Sequence, residues 1–192
     1  MMPKNKKAQV GVGTLIIFIT MILVAAIGAS VIIQTSGSLQ QQATVTGEQA
    51  IKEISTKIKV QSVIGYSTST SRIDKLILVV ELSSGSNDVK LSDIVLTYQS
   101  KDIYITGIKY NSSASDNNSY PDFYKNVIKG DGDDVLEYGE IIELHFWIED
   151  ATSHPLSPNT EFTLILMPKS GTSSLIRTTT PSVFKYSYVS LA

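Results

Sequence analysis

The chain has 192 residues, no cysteine, 16 lysines and arginines against 18 aspartates and glutamates, and a formal net charge of −2. The missing thiols exclude a disulfide scaffold, a thiolate metal site and a cysteine nucleophile, and the lack of a basic patch beyond the first residues excludes a nucleic-acid surface. The apolar fraction of 42% averages two unlike parts, an almost lipid-like N-terminal segment and a polar remainder rich in Ser, Thr, Tyr and Asn.

Residues 1–8, MMPKNKKA, form a short basic leader, and the apolar run behind it is too long for the core of an ordinary secretory signal. The lysines hold that end on the cytoplasmic side and send the rest of the chain outward. Loss of the leader would remove Lys4, Lys6 and Lys7 and take the net charge from −2 to −5.

No charged side chain occurs between Lys7 and Glu48, and residues 10–33 carry 15 large apolar side chains. At ~1.5 to 3 kcal/mol each, their burial is worth on the order of 20 to 45 kcal/mol, which excludes an exposed soluble monomer. Hydrocarbon satisfies this segment, and so does a bundle of identical helices. Ala25, Ala26, Gly28, Ala29 and Ser30 would allow close approach of helices. Beyond residue 33, Leu39, Ala43, Ala50, Ile51, Ile54 and Ile58 recur at helical spacing, and Glu48 with Lys52 and Glu53 with Lys57 stand four apart. The spacing predicts one helix over 9–64, roughly 84 Å long and far longer than a bilayer requires. Gly37 and Gly47 are weak points in it.

The stretch GYSTSTS opens a head over 65–192, where short β-rich runs are predicted at 75–82, 90–98, 102–110, 140–149, 161–167 and 182–191. In one of them Ile142, Leu144, Phe146 and Ile148 alternate with the outward-facing Glu143, His145 and Trp147. The expected fold class is α+β, a long helix followed by an antiparallel, immunoglobulin-like β-sandwich.

Three stretches stand in order: GVGTLII (11–17), ILVAAIGASVII (22–33) and TSGSLQQQATVTGEQ (35–49), the first just behind Lys6-Lys7-Ala8-Gln9. Over residues 4–64 the sequence closely resembles the archaeal flagellins, or archaellins, whose precursors carry a class III signal peptide. The resemblance implies cleavage after Ala8 by a prepilin-type peptidase, with Lys6, Lys7, Ala8, Gln9 and Gly11 as the processing residues. It also implies a membrane-inserted precursor, then export and helical polymerisation through Leu15, Ile16, Phe18, Ile22, Leu23, Ala25, Ala26 and Gly28. The product is a cell-surface swimming filament, built of this chain and other archaellins on an export and motor machinery at the base. Many relatives have Gly where Ala8 stands, and Gly13 replaces the glutamate of bacterial pilins. An archaeal adhesion pilin shares this processing and core, and a membrane-anchored extracellular binding domain would keep its leader and stay monomeric.

Asp131, Asp133, Asp134, Glu137 and Glu140 in the loop GDGDDVLEYGE offer carboxylates to a hard cation such as calcium or magnesium, although the spacing fails the EF-hand pattern and a solvated turn is the commoner state. No cofactor is otherwise required. Asn111-Ser112-Ser113 and Asn117-Asn118-Ser119 are N-glycosylation acceptor triplets in a loop-like stretch. His145 and His154 have no nucleophile arrangement beside them and are expected on the surface. With no phosphate loop and no paired carboxylates outside that turn, the chain carries no enzyme signal.

Overall fold

The computed structural model describes residues 6–67, 72–101, 103–114, 120–148 and 156–191, with side chains from residue 10 onward. The chain divides into two compact units, Met1–Gln49 and Ala50–Ala192. Helix α1 (Lys6–Ser55) has 50 residues. Apolar side chains surround it, because Leu15, Ile16, Ile17, Phe18 and Ile19 are consecutive and each step turns 100°.

The helix stops at Ser55, nine residues short of the expected end at 64, and strand β1 (Ile58–Tyr66) follows. Ile54 and Ile58 are spaced for one helical face, yet Ile54 is 80% exposed and Ile58 is fully buried. Two causes combine. The stretch IKVQSVIGY is β-branched at Ile58, Val60, Val63 and Ile64, and it pairs antiparallel with β2 from Ile58↔Leu82 to Tyr66↔Lys75. The last turn of α1 is also captured by head segments. Ser86 Oγ donates to Ser55 O (3.2 Å) and accepts from Lys57 N (3.0 Å), Thr172 N donates to Thr56 O (2.8 Å), and Ser83 N donates to Lys57 O (3.0 Å). These bonds satisfy polar groups that a continuing helix would have bonded internally.

The remaining strands are β2 (Lys75–Leu82), β3 (Val89–Lys90), β4 (Ile94–Ser100), β5 (Tyr104–Lys109), β6 (Phe123–Lys129), β7 (Val135–Leu136), β8 (Ile141–Trp147), β9 (Glu161–Pro168), β10 (Ser174–Thr179) and β11 (Tyr188–Ser190). They form a five-stranded sheet, β11-β1-β2-β8-β6, a four-stranded sheet, β10-β9-β4-β5, and a small β3-β7 pair. Every ladder between described strands is antiparallel. Leu76, Leu78, Leu144 and Phe146 of the first large sheet share one core with Leu96, Tyr98, Leu164 and Leu166 of the second. The Tyr98 ring joins the layers, 6.2 Å from Phe146 and 6.0 Å from Phe162. The expected helix-plus-sandwich architecture is thus present.

Several details depart from the sequence expectation. The run at 90–98 is broken by a 3-10 turn at Leu91–Asp93, and of 182–191 only β11 is strand. Strands β6, β7 and β10 were not expected, since Phe123–Lys129 and Ser174–Thr179 are edge strands with mixed polar sequence and little alternation to read. His145 is 8% exposed rather than a surface residue. Strand β8 lies between β2 and β6, so long side chains on both neighbours cover its outward face. There His145 Nε2 lies 3.0 Å from Glu143 Oε2 and Nδ1 lies 3.3 Å from Tyr124 Oη. Burial alone would raise the Glu143 pKa; hydrogen bonds from Asn126 and His145 and the nearby Lys75 outweigh it and hold the carboxyl below its ordinary value. His154 lies outside the described residues.

Candidate assembly surface

Among the described residues, no side chain in the long apolar span of α1 is buried. Leu15, Ile16, Phe18, Ile22 and Leu23 are all more than half exposed, and Ala25, Ala26 and Gly28 are exposed with them. The helix is long and apolar enough to cross a membrane. Four of its threonine hydroxyls are already internally satisfied, a feature the sequence expectation missed. Thr14 Oγ1 donates to Gly11 O (2.9 Å), Thr20 Oγ1 to Ile17 O (2.8 Å), Thr35 Oγ1 to Val31 O (2.8 Å) and Thr44 Oγ1 to Gln40 O (3.0 Å). A hydroxyl bonded to the carbonyl three or four residues back brings no unpaired donor into a waterless environment. The signal was legible as Thr placed among apolar neighbours at those spacings.

The five glycines of α1 point the same way. A Cβ added at Gly11, Gly13, Gly28, Gly37 or Gly47 would meet nothing within 4 Å, so packing within the chain requires none of them. Each weakens the helix by about 1 kcal/mol relative to Ala. Lys6, Lys7, Ala8 and Gln9 lie in the first turns of α1, and their side chains are outside the described residues.

The structure gathers only part of the acidic loop. Carboxylate oxygens of Asp131, Asp133 and Glu140 lie within 4.8 Å of one another. Glu140 accepts from Asp131 N and Glu137 N (both 3.0 Å), Asp131 Oδ1 from Asp133 N (3.1 Å) and Asp133 Oδ1 from Val135 N (2.8 Å). Asp134 instead binds Lys125 Nζ (2.7 Å) and accepts from Tyr110 Oη (2.6 Å), and these bonds hold its pKa low. The Glu137 pKa is raised, first by the charge of Asp88, then by burial and by Asp131, Glu140 and Asp133. Lys125 also donates to the carbonyls of Gly132 and Asp133, so the loop keeps its shape through its own groups.

Asn111 makes an Asx turn, accepting from Ser113 N (3.0 Å) and donating to Asp122 Oδ2 (3.2 Å). Asn117 lies outside the described residues.

A family model described as archaeal-type flagellin matches residues 8–178, spanning both the helix and most of the head. This chain belongs to the archaeal-type flagellin family. Flagellin B4 of Pyrococcus abyssi is 34% identical, with 95% of this chain and 97% of that protein aligned. Flagellin B2 of Halobacterium salinarum is 32% identical over 95% of this chain and 93% of its own. Among solved structures, a subunit of the archaeal flagellum of Methanospirillum hungatei has a TM-score of 0.72 at 16% identity and covers 95% of this chain and 99% of its own. An archaeal flagellin of Methanocaldococcus jannaschii has a TM-score of 0.62 at 19% identity and covers 71% of this chain and 96% of its own. The archaellin fold is shared across sequences that have diverged widely. As a flagellin the protein is a structural subunit of the archaeal flagellum and not an enzyme.

Proposed function

We propose that this archaellin is cut after Ala8 by a prepilin-type signal peptidase, leaves the membrane and polymerises through α1 into an extracellular swimming filament. The bundled helices form its core and the sandwich heads its wall. The carrying observation is an apolar helix with none of its apolar window buried and the hydroxyls of Thr14, Thr20 and Thr35 already turned onto its own carbonyls. Such a surface exchanges lipid for sister helices with little change in free energy, because both environments are apolar. Gly11 and Gly13 follow the cut closely, where a less stable helix is easier for a peptidase to open. The contact is heterologous and does not close, which generates a filament rather than a ring. Export and motor proteins at the base would complete the organelle. Family membership disfavours both an adhesion pilin and a monomeric anchored domain.

Intact mass measured on sheared surface filaments checks this reading. The expected mass lacks residues 1–8; retention of the leader, or absence of the chain from the filaments, overturns it. The same spectrum reads the two proposed glycan sites. At Asn111 a glycan would take one of the two hydrogens of Nδ2, the atom that donates to Asp122 Oδ2.

Asp131, Asp133 and Glu140 are the proposed donors for a weakly held calcium or magnesium ion. A separation of up to 4.8 Å suits ligands at ~2.3 to 2.6 Å from a common centre. The thermal midpoint is then expected to rise in excess calcium relative to chelator, and to stop responding in Asp131→Asn. An unchanged midpoint in the unsubstituted protein would remove the ion.

A further inference from the structure

The two large sheets treat their outward faces differently. On the five-stranded sheet the outward apolar residues of β2 are covered, Ile77 to 4% and Val79 to 9% exposure. Around them Lys75 lies over the rings of Tyr66 and Trp147, Glu143 joins His145, and Lys59 pairs with Glu81. Among the described residues, the four-stranded sheet has no such cover. The cross-strand pairs Leu175↔Ile165 and Met167↔Val95 put four apolar side chains together on its outward face, since Leu96, Leu164 and Leu166 fill the core from the other face. Leu175 is 60% and Met167 39% exposed, and Ile165 and Val95 beside them are half-buried. Charged side chains of both signs border this patch, Lys109 opposite Val95 and Arg177, which pairs with Glu161 at 3.7 Å, two residues beyond Leu175.

Met167 and Leu175 also flank the β9–β10 turn. Within that turn Thr172 bridges Lys57 and donates to Thr56 O, directly after the last turn of α1. The open apolar face therefore begins at the end of the sheet whose turn is bonded to Thr56 and Lys57, the residues that follow α1.

We propose that the outward face of the four-stranded sheet, centred on Leu175, Ile165, Met167 and Val95, packs against a second copy of this chain in the filament. The proposal rests on the polymer reading above and extends that interface from the helix onto the head. A heterologous contact sets this face against a different surface of the neighbour, so an apolar patch with a charged border needs no self-complementary partner. The contact orients the heads that the helix bundle brings together, and its apolar centre excludes water.

The absence of cysteine makes a single introduced thiol a clean probe. Leu175→Cys and, separately, Met167→Cys would be expressed in the full chain, and the rate of maleimide labelling compared between sheared filaments and detergent-dispersed subunits. Labelling is expected to slow in filaments at least about tenfold, the ratio that 1.4 kcal/mol of protection gives. Equal rates in filaments and dispersed subunits at both positions would overturn the proposed contact. If the unsubstituted chain formed no filaments, the polymer reading itself would fall, a result visible before any labelling. If one variant does not assemble, the other decides.

Discussion

Cells producing an Ile16→Lys archaellin are expected to carry processed subunit in the membrane fraction and no filaments. The head is untouched by the change, because Ile16 is 55% exposed and lies on α1 in the unit up to Gln49. The membrane stage also tolerates it, since residue 16 is in the first third of the apolar run at 10–33 and a lysine there can extend its ammonium to the interface. A bundle core offers no such exit. An unpaired buried charge carries an effective penalty of several kcal/mol, and every added subunit would bring another. Since 1.4 kcal/mol is tenfold in an association constant, even ~3 kcal/mol lowers the affinity at the growing end by more than a hundredfold. Ile16→Leu, which keeps the volume and the polarity, should assemble. Sheared preparations of Ile16→Lys with ordinary filament yield would show that α1 does not lie in a dry core.

The second large effect is expected at the seam between α1 and the head. Gly171→Val should lower the thermal midpoint of the full chain in detergent by roughly 10 °C, taking ~3 kcal/mol at about 3 °C per kcal/mol for a domain of this size. Two costs add. Gly171 has φ +127°, which L side chains rarely adopt, and a Cβ there would stand 2.5 Å from Thr56 O and 3.0 Å from Thr56 Cβ. The clashing oxygen is the acceptor for Thr172 N, so relief of the clash breaks the bond that ties the turn to the helix end. Gly85 provides the contrast, with φ +83° and nothing within 4 Å of an added Cβ. Gly85→Ala then carries only the backbone strain, about 1 kcal/mol. Equal losses from Gly171→Val and Gly85→Ala would mean that the contact with Thr56 contributes nothing.

Much of the exposed apolar surface of α1 was legible residue by residue. Forty uncharged positions, an all-round apolar run and the ordered GVGTLII, VAAIGAS and TSGSLQQQ stretches placed Leu15, Ile16, Phe18 and Gly28 where the helix exposes them. The acidic loop was legible only as composition. Which carboxylates converge depends on hydrogen bonds between residues up to nine apart, and on Lys125 and Tyr110 drawing Asp134 away. His145 was misplaced because alternation along one strand tells which face a side chain takes. It does not tell whether that face is covered.

By itself the sequence determined the helix, its apolar character, the β-rich nature of the head and, through its motifs, the family. All of these are local properties, carried by residue type and spacing along a single stretch. Tertiary structure decided where the helix ends, because Ser86, Ser83 and Thr172, far away in the chain, take up the hydrogen-bonding groups after Ser55. It also decided that one sheet covers its outward apolar residues and the other leaves Leu175 and Met167 open. That difference arises only when strands are set side by side, since the four side chains lie on three strands and none of these carries more than two.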